Sequence, residues 1–205
     1  FLAEVDAPRV EFGLEDYEQR LDALVQRLKE RGKTHAVFYG DREHFATMHY
    51  FSGFDCRFEE ALLVIGADRR ASFVVGNEGI SQTYPVPYPV DVYLYQNFSF
   101  QGQPRDKQEP LPTILKKIGI GADSTVGLVG FKYFEPETIG GNAERTYDVP
   151  AYILDALHEV CPPQQVTNFT REITGFPGGI RMQLRSAKEI AWAEAAGNLS
   201  ASAVQ

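Results

Sequence analysis

The sequence predicts an α/β fold, a mixed β-sheet covered by helices on both faces. Three observations predict it. Segments with helical spacing alternate with short runs rich in β-branched and aromatic residues along the chain. Two of those runs, ALLVI (61–65) and ASFVV (71–75), flank the five-residue loop GADRR and read as an antiparallel hairpin among crossover connections. The composition, 43% hydrophobic and 23% charged over 205 residues, is that of a globular chain able to bury one substantial core or two small ones.

The elements follow in order. Leu14, Tyr17, Leu21, Leu24, Val25 and Leu28 repeat at helical spacing. Acidic residues occupy the first turns, and Lys29 and Arg31 close the last one before Gly32, an order that complements the helix dipole. HAVFY (35–39) reads as a buried strand, and Asp41 is expected to cap a second helix running to about Phe51. After the hairpin, VDVYLY (90–95) favours a strand by its residue types. Ile114, Leu115 and Ile118 suggest a short helix ended by Lys116, Lys117 and Gly119, and VGLVGF (126–131) is the next strand. Asp148 is expected to cap a helix with Pro150 in its first turn and Ile153, Leu154, Leu157 and Val160 on its buried face. Pro162 and Pro163 stop that helix, and residues 166–170 form a last strand.

The C-terminal stretch has its own pattern. Ser186 and Glu189 form a capping box. Ile190, Ala193, Gly197, Ala201 and Val204 share one stripe, while Trp192, Ala196, Leu199 and Ala203 lie on nearly the opposite side. A helix apolar on two sides needs covering on both. With no Gly, Asn or Pro stop after Val204, the sequence is expected to break off inside this helix. The boundary between one domain and the beginning of another is expected near GFPGGIR (175–181), giving residues 1–178 as the domain and 179–205 as linker and first helix of the next.

Charge and composition exclude several functions. The net charge of −8 argues against a nucleic-acid surface and disfavours anionic membranes. The longest apolar run is far too short to span a bilayer. Phe1 in place of Met points to a trimmed or partly ordered start, and FLAEV lacks the basic and long apolar regions of a signal peptide. Two cysteines, Cys56 and Cys161, make neither a disulfide framework nor a zinc set, so a reducing cytoplasm is the simplest setting.

Candidate chemistry is sparse. His44 and His49 are five apart and cannot share a helix face as a metal pair; His35 and His158 read as solvated or hydrogen-bonded. Cys56 is expected to be inert despite His49 nearby in sequence. GIGADS (119–124) lacks the third glycine of a dinucleotide loop and precedes a strand, so it reads as a turn. Glu59 and Glu60 point to opposite faces of an extended chain and read as solvated charge rather than an acid/base couple. The aromatic-rich stretch 84–104 contains Tyr84, Tyr88, Tyr93, Tyr95, Phe98 and Phe100. Part of it belongs to the core; the remainder suits either a subunit contact or a structural role.

Two segments carry a resemblance. HYFSGFDCRF (49–58), after a strand and a helix, resembles the Tyr-x-Ser/Thr-Gly-Phe segment in the N-terminal domain of the creatinase/prolidase/Xaa-Pro aminopeptidase family. LRSAKEIAWAEAAG (184–197) resembles the Lys-Ser-x-x-Glu-Ile helix that joins this domain to the catalytic one, with Arg185 in place of the usual Lys. The order of elements between them agrees.

The resemblance implies a three-layer α/β/α fold of the ribonuclease-H-like kind, ending in a linking helix. It implies a non-catalytic domain with no cofactor of its own, acting in dimerisation and in gating substrate access. The metal site of two Asp, one His and two Glu, with two divalent ions, would belong to a following catalytic domain absent from these residues. The parent would then be a metal-dependent hydrolase acting on a small peptide or another small C–N substrate. By the same resemblance Arg57 and Phe58 would contact substrate in the partner subunit's cleft, although their order and spacing depart from the family pattern. The alternative is a peptidase-like protein-binding module whose parent has lost catalysis.

Overall fold

A computed structural model describes residues 10–107, 109–183 and 186–204. The expectation for Arg185 therefore lies outside the described residues, as does that for Phe1.

The first helix, α1 (Leu14–Glu30), starts where the Asp16 carboxylate accepts from the Gly13 N–H at 2.8 Å, and it buries Leu21, Leu24 and Leu28. Strand β1 (His35–Gly40) follows, then α2 (Ala46–Ser52), the hairpin β2 (Ala61–Gly66) and β3 (Ala71–Val75), the single turn α3 (Gly79–Gln82) and the edge strand β4 (Asp91–Leu94). The chain continues through α4 (Leu111–Ile118), β5 (Val126–Val129), the turn α5 (Pro136–Ile139), α6 (Ala151–Val160), β6 (Val166–Asn168), α7 (Thr170–Thr174) and α8 (Ala187–Val204).

The sheet order is β4-β3-β2-β1-β5-β6. β1 pairs antiparallel with β2 and β2 with β3, whereas β1–β5, β5–β6 and β3–β4 are parallel. The mixed sheet expected from one hairpin among crossovers is present. Successive strand residues point to opposite faces, and both faces are buried. Ala36, Phe38, Leu63, Ile65, Phe73 and Val75 pack with α1, α2 and α7; Val37, Leu62, Val64, Val74 and Leu128 pack with α4 and α6. The three layers follow from that alternation, because the central strands carry apolar residues on both sides and leave neither face able to meet water.

Two expected caps are corrected. Asp41 does not open α2: its Oδ1 accepts from the N–H groups of Glu43 and His44 at 2.9 and 2.7 Å, closing a turn, and the helix begins at Ala46. Asp148 does not cap α6, whose first turn follows Pro150; its Oδ2 accepts instead from the N–H groups of Phe131 and Lys132, at 2.8 and 2.6 Å. Asp and Asn satisfy any nearby group of orphan N–H donors, and a helix start is only one such group. At the end of α2, Gly53 has φ +72°, and a Cβ there would run into the Tyr17 hydroxyl, so the SGF motif needs its glycine twice over.

The Ser186 hydroxyl accepts from the Glu189 N–H at 3.2 Å, the expected start of α8. Glu189 is the buried residue of that helix. Its carboxylate takes the Arg20 guanidinium at 3.1 Å, and Lys188 reaches Asp16 at 2.7 Å. Beyond this anchor both apolar stripes are open, with Ile190, Trp192 and Leu199 each about half exposed. The aromatic stretch divides: Tyr95 and Phe98 are core, the Tyr88 hydroxyl donates to the Phe51 carbonyl at 2.8 Å, and Tyr84 and Phe100 lie on the surface.

Candidate functional site

The parallel neighbours β1 and β5 send the chain to opposite faces: β1 leads into α2, packed with Phe38, whereas β5 leads towards α6, packed with Val37. Where adjacent parallel strands diverge in this way, a crevice opens beyond their carboxyl ends. Here it is a cleft of about 380 Å³ lined by Tyr39, Asp41, His44, Phe131, Lys132, Asp148 and Pro150.

Each polar wall residue is held from behind. Asp41 contacts His44 Nδ1 at 3.1 and 3.2 Å through its two oxygens and fixes the ring. Burial opposes the charge on Asp41, but donation from the His44 ring and from the His44 and Glu43 N–H groups outweighs it and lowers its pKa. The His44 ring lies 4.4 Å from that of Phe131. Asp148 sits directly against Gly130, where any Cβ would collide with Oδ1; that oxygen is buried without a hydrogen-bond partner. Gly130 is thus a place where a carboxylate approaches backbone too closely for a side chain.

Beside the cleft, the Tyr39 and Tyr152 hydroxyls donate to the two oxygens of Glu60 at 2.8 and 2.9 Å. Burial, reinforced by that carboxylate, raises both phenols well above the ordinary tyrosine range. Glu59 is buried, and its Oε2 accepts from the N–H groups of Glu78 and Gly79 at 3.0 and 3.1 Å. The opposite-facing pair expected from the sequence is present, but neither carboxylate is simply solvated. Both are structural acceptors.

Arg57 and Phe58 lie on the turn between α2 and β2. Arg57 is exposed with φ +53°, a left-handed turn position whose N–H donates to Asp55 Oδ1 at 2.8 Å. Phe58 is 49% exposed, 6.3 Å from the Phe100 ring. The guanidinium over Phe58 is that of Arg42, 5.6 Å from the ring centroid. Arg42 has no signal in the sequence, because the loop that brings it there has no periodicity. Cys56 is buried beside the Met48 sulfur, and burial pushes its thiol up to about 12. Among the described residues no three His, Cys, Asp or Glu converge as a metal site, and no helix is long and apolar enough to cross a membrane.

No family model matches the chain, and no curated protein matches it. Solved structures to which it is similar include creatinase/prolidase N-terminal domains. A proline dipeptidase from Streptococcus agalactiae 2603V is similar at 18% identity and TM-score 0.46, covering 70% of this chain and 88% of that one. Another is the creatinase/prolidase N-terminal domain of an X-Pro dipeptidase from Streptococcus pyogenes, at 16% and 0.45, covering 70% and 94%. Dipeptidase PepE from Mycobacterium ulcerans is similar at 15% and 0.46, over 73% of this chain and 33% of that one.

Proposed function

We infer that the chain serves as the accessory N-terminal domain of a metal-dependent hydrolase of the creatinase and Xaa-Pro peptidase kind. In this reading it pairs subunits into a homodimer and gates the approach of small peptide or C–N substrates. The observation that carries the reading is the place of Arg20. The two segments on which the resemblance rests meet at its guanidinium, which donates to the Tyr50 carbonyl at 2.9 Å and to Glu189 at 3.1 Å. One buried cation thereby gives both segments a shared structural reason to occur together.

Past that anchor, α8 carries open apolar stripes that need cover. The reading assigns that cover to a catalytic domain to which the helix leads. Two divalent ions, bound by that domain, would supply the hydrolytic chemistry. Arg57 and Phe58 would then contribute to the wall of the partner subunit's cleft. A cytoplasmic setting belongs to the same reading and is supported by two free, buried cysteines.

The test begins with the gene 3′ of the codon for Gln205. Two Asp, one His and two Glu should follow in a second domain, and the whole product should be dimeric and hydrolyse Xaa-Pro dipeptides or creatine with manganese. In it, Arg57→Ala should raise KM about ten-fold, the scale of a lost charged contact, and Phe58→Ala should cost both activity and some stability. A downstream domain without those ligands would overturn the hydrolase reading and favour a protein-binding module. Unchanged kinetics in both variants would remove the gating role.

A further inference from the structure

We propose that the cleft beyond β1 and β5 is a binding site for a small carboxylate with an apolar body. Lys132 and the outer N–H of protonated His44 would donate to the carboxylate, and Phe131, Tyr39 and Pro150 would bed the body. This site is independent of the gating role.

The sign of the ligand follows from which polar atoms remain reachable. Two acidic residues line the cleft, yet both are already engaged. Asp41 accepts two backbone N–H groups and contacts the His44 ring with both of its oxygens. Asp148 spends Oδ2 on two more N–H groups, and its Oδ1 is closed off from solvent against Gly130. An incoming ammonium group would have to compete at Asp41, whose side chain is 31% exposed, with the His44 ring and two backbone N–H groups, and would find Asp148 Oδ1 buried.

The cationic and donor groups are in the opposite condition. Lys132 is exposed and makes no side-chain hydrogen bond or ion pair among the described residues. His44 is held through Nδ1, and its Nε2 is neither bonded nor buried among them. Asp41 acts here as a positioning residue that aims the ring. With Nδ1–H given to Asp41, the outer nitrogen has a proton to donate to an anion only when the ring is an imidazolium. The remaining wall is apolar: Phe131 is 56% exposed, a large ring tilted against that of His44. A cleft with apolar walls and a few convergent polar groups, at the point where parallel strands diverge, has the form of a small-molecule site.

The test is an amide ¹H–¹⁵N NMR titration of the 205-residue chain with three matched probes: 3-phenylpropanoate, its amide, and 3-phenylpropylamine. The carboxylate should give saturable shifts confined to residues 39–44, 130–132 and 148–150. The amide should bind at least about ten-fold more weakly, the scale of a charge-assisted hydrogen bond. Lys132→Gln should weaken the carboxylate by a similar factor without moving the unfolding midpoint, since the side chain is exposed. His44→Gln should weaken the carboxylate as well. Asp41→Asn should weaken binding while shifts on Lys132 persist. Equal binding of the amide, preference for the amine, unchanged affinity in Lys132→Gln, or no saturation with any probe would each overturn the proposal.

Discussion

Glu189→Ala should destabilise the domain by about 1.5–3 kcal/mol, the range for a hydrogen bond to a charged group. The magnitude comes from the anchor's geometry. The Arg20 and Glu189 side chains are 6% and 10% exposed, so solvent screens their pairing little. The full loss of about 3–5 kcal/mol expected for a stranded buried ion does not apply, because Arg20 keeps other partners. Its guanidinium still donates to the Tyr50 carbonyl and lies 4.5, 5.2 and 4.3 Å from the rings of Phe12, Tyr17 and Tyr50. The second tie, Lys188 to Asp16, has an ammonium-bearing side chain that is 47% exposed. Lys188→Ala should therefore cost only about 0.2–1 kcal/mol and lose its effect in high salt. Urea unfolding followed by circular dichroism at low and high salt separates the two. Glu189→Ala should also speed proteolysis within residues 187–204, since that turn is where the helix is held. A loss below 0.5 kcal/mol in Glu189→Ala, or a larger loss in Lys188→Ala, would refute the assignment of Arg20 as the anchor.

Three other outcomes are expected. Burial lowers the pKa of His35, with Asp68 opposing, so the fold favours its neutral form. Its contribution is full above the ordinary histidine value and is lost as pH falls below about 6.5; His35→Gln should flatten stability across that window, and an unchanged slope would count against it. Both cysteines are buried with raised pKa values, so a thiol reagent at pH 8 should find no rapidly reacting group in the folded chain and two after denaturation. Glu60→Ala should cost about 1–3 kcal/mol by stranding half-buried tyrosine hydroxyls, and unfolding curves that overlay those of the unaltered chain would show the clamp to be idle.

What was legible in the sequence is what periodicity encodes. The strands around 35–39, 61–65 and 71–75 and the helix from 14 were readable because each must bury a row of apolar side chains, and burial imposes a repeat. From the hairpin and the alternation of elements came the mixed sheet with two covered faces. The polar ends of the elements were legible only in kind. Asp41 and Asp148 were rightly expected to accept from backbone N–H groups, yet the donors proved to belong to a turn and to the end of β5.

The cleft itself was invisible for the same reason. Its walls come from segments about ninety residues apart, joined only because β5 enters the sheet beside β1 instead of continuing past β4. No local rule sets that choice. A crossover back to the middle of the sheet is decided by which strand face the intervening helix can cover. Once β5 is there, Gly130 and Phe131 necessarily arrive beside Tyr39 and Gly40, because Phe38 pairs with Val129. Topology, and not motif, brings His44 against Phe131. A residue such as Arg42 acquires a partner in Phe58 by the same route. Of the sequence features that looked most like chemistry, Cys56 was absorbed by the core and the paired glutamates by hydrogen bonds that hold loops in place, while His49 lies exposed. The groups left able to meet a ligand are the ones whose carboxylate neighbours are already spent.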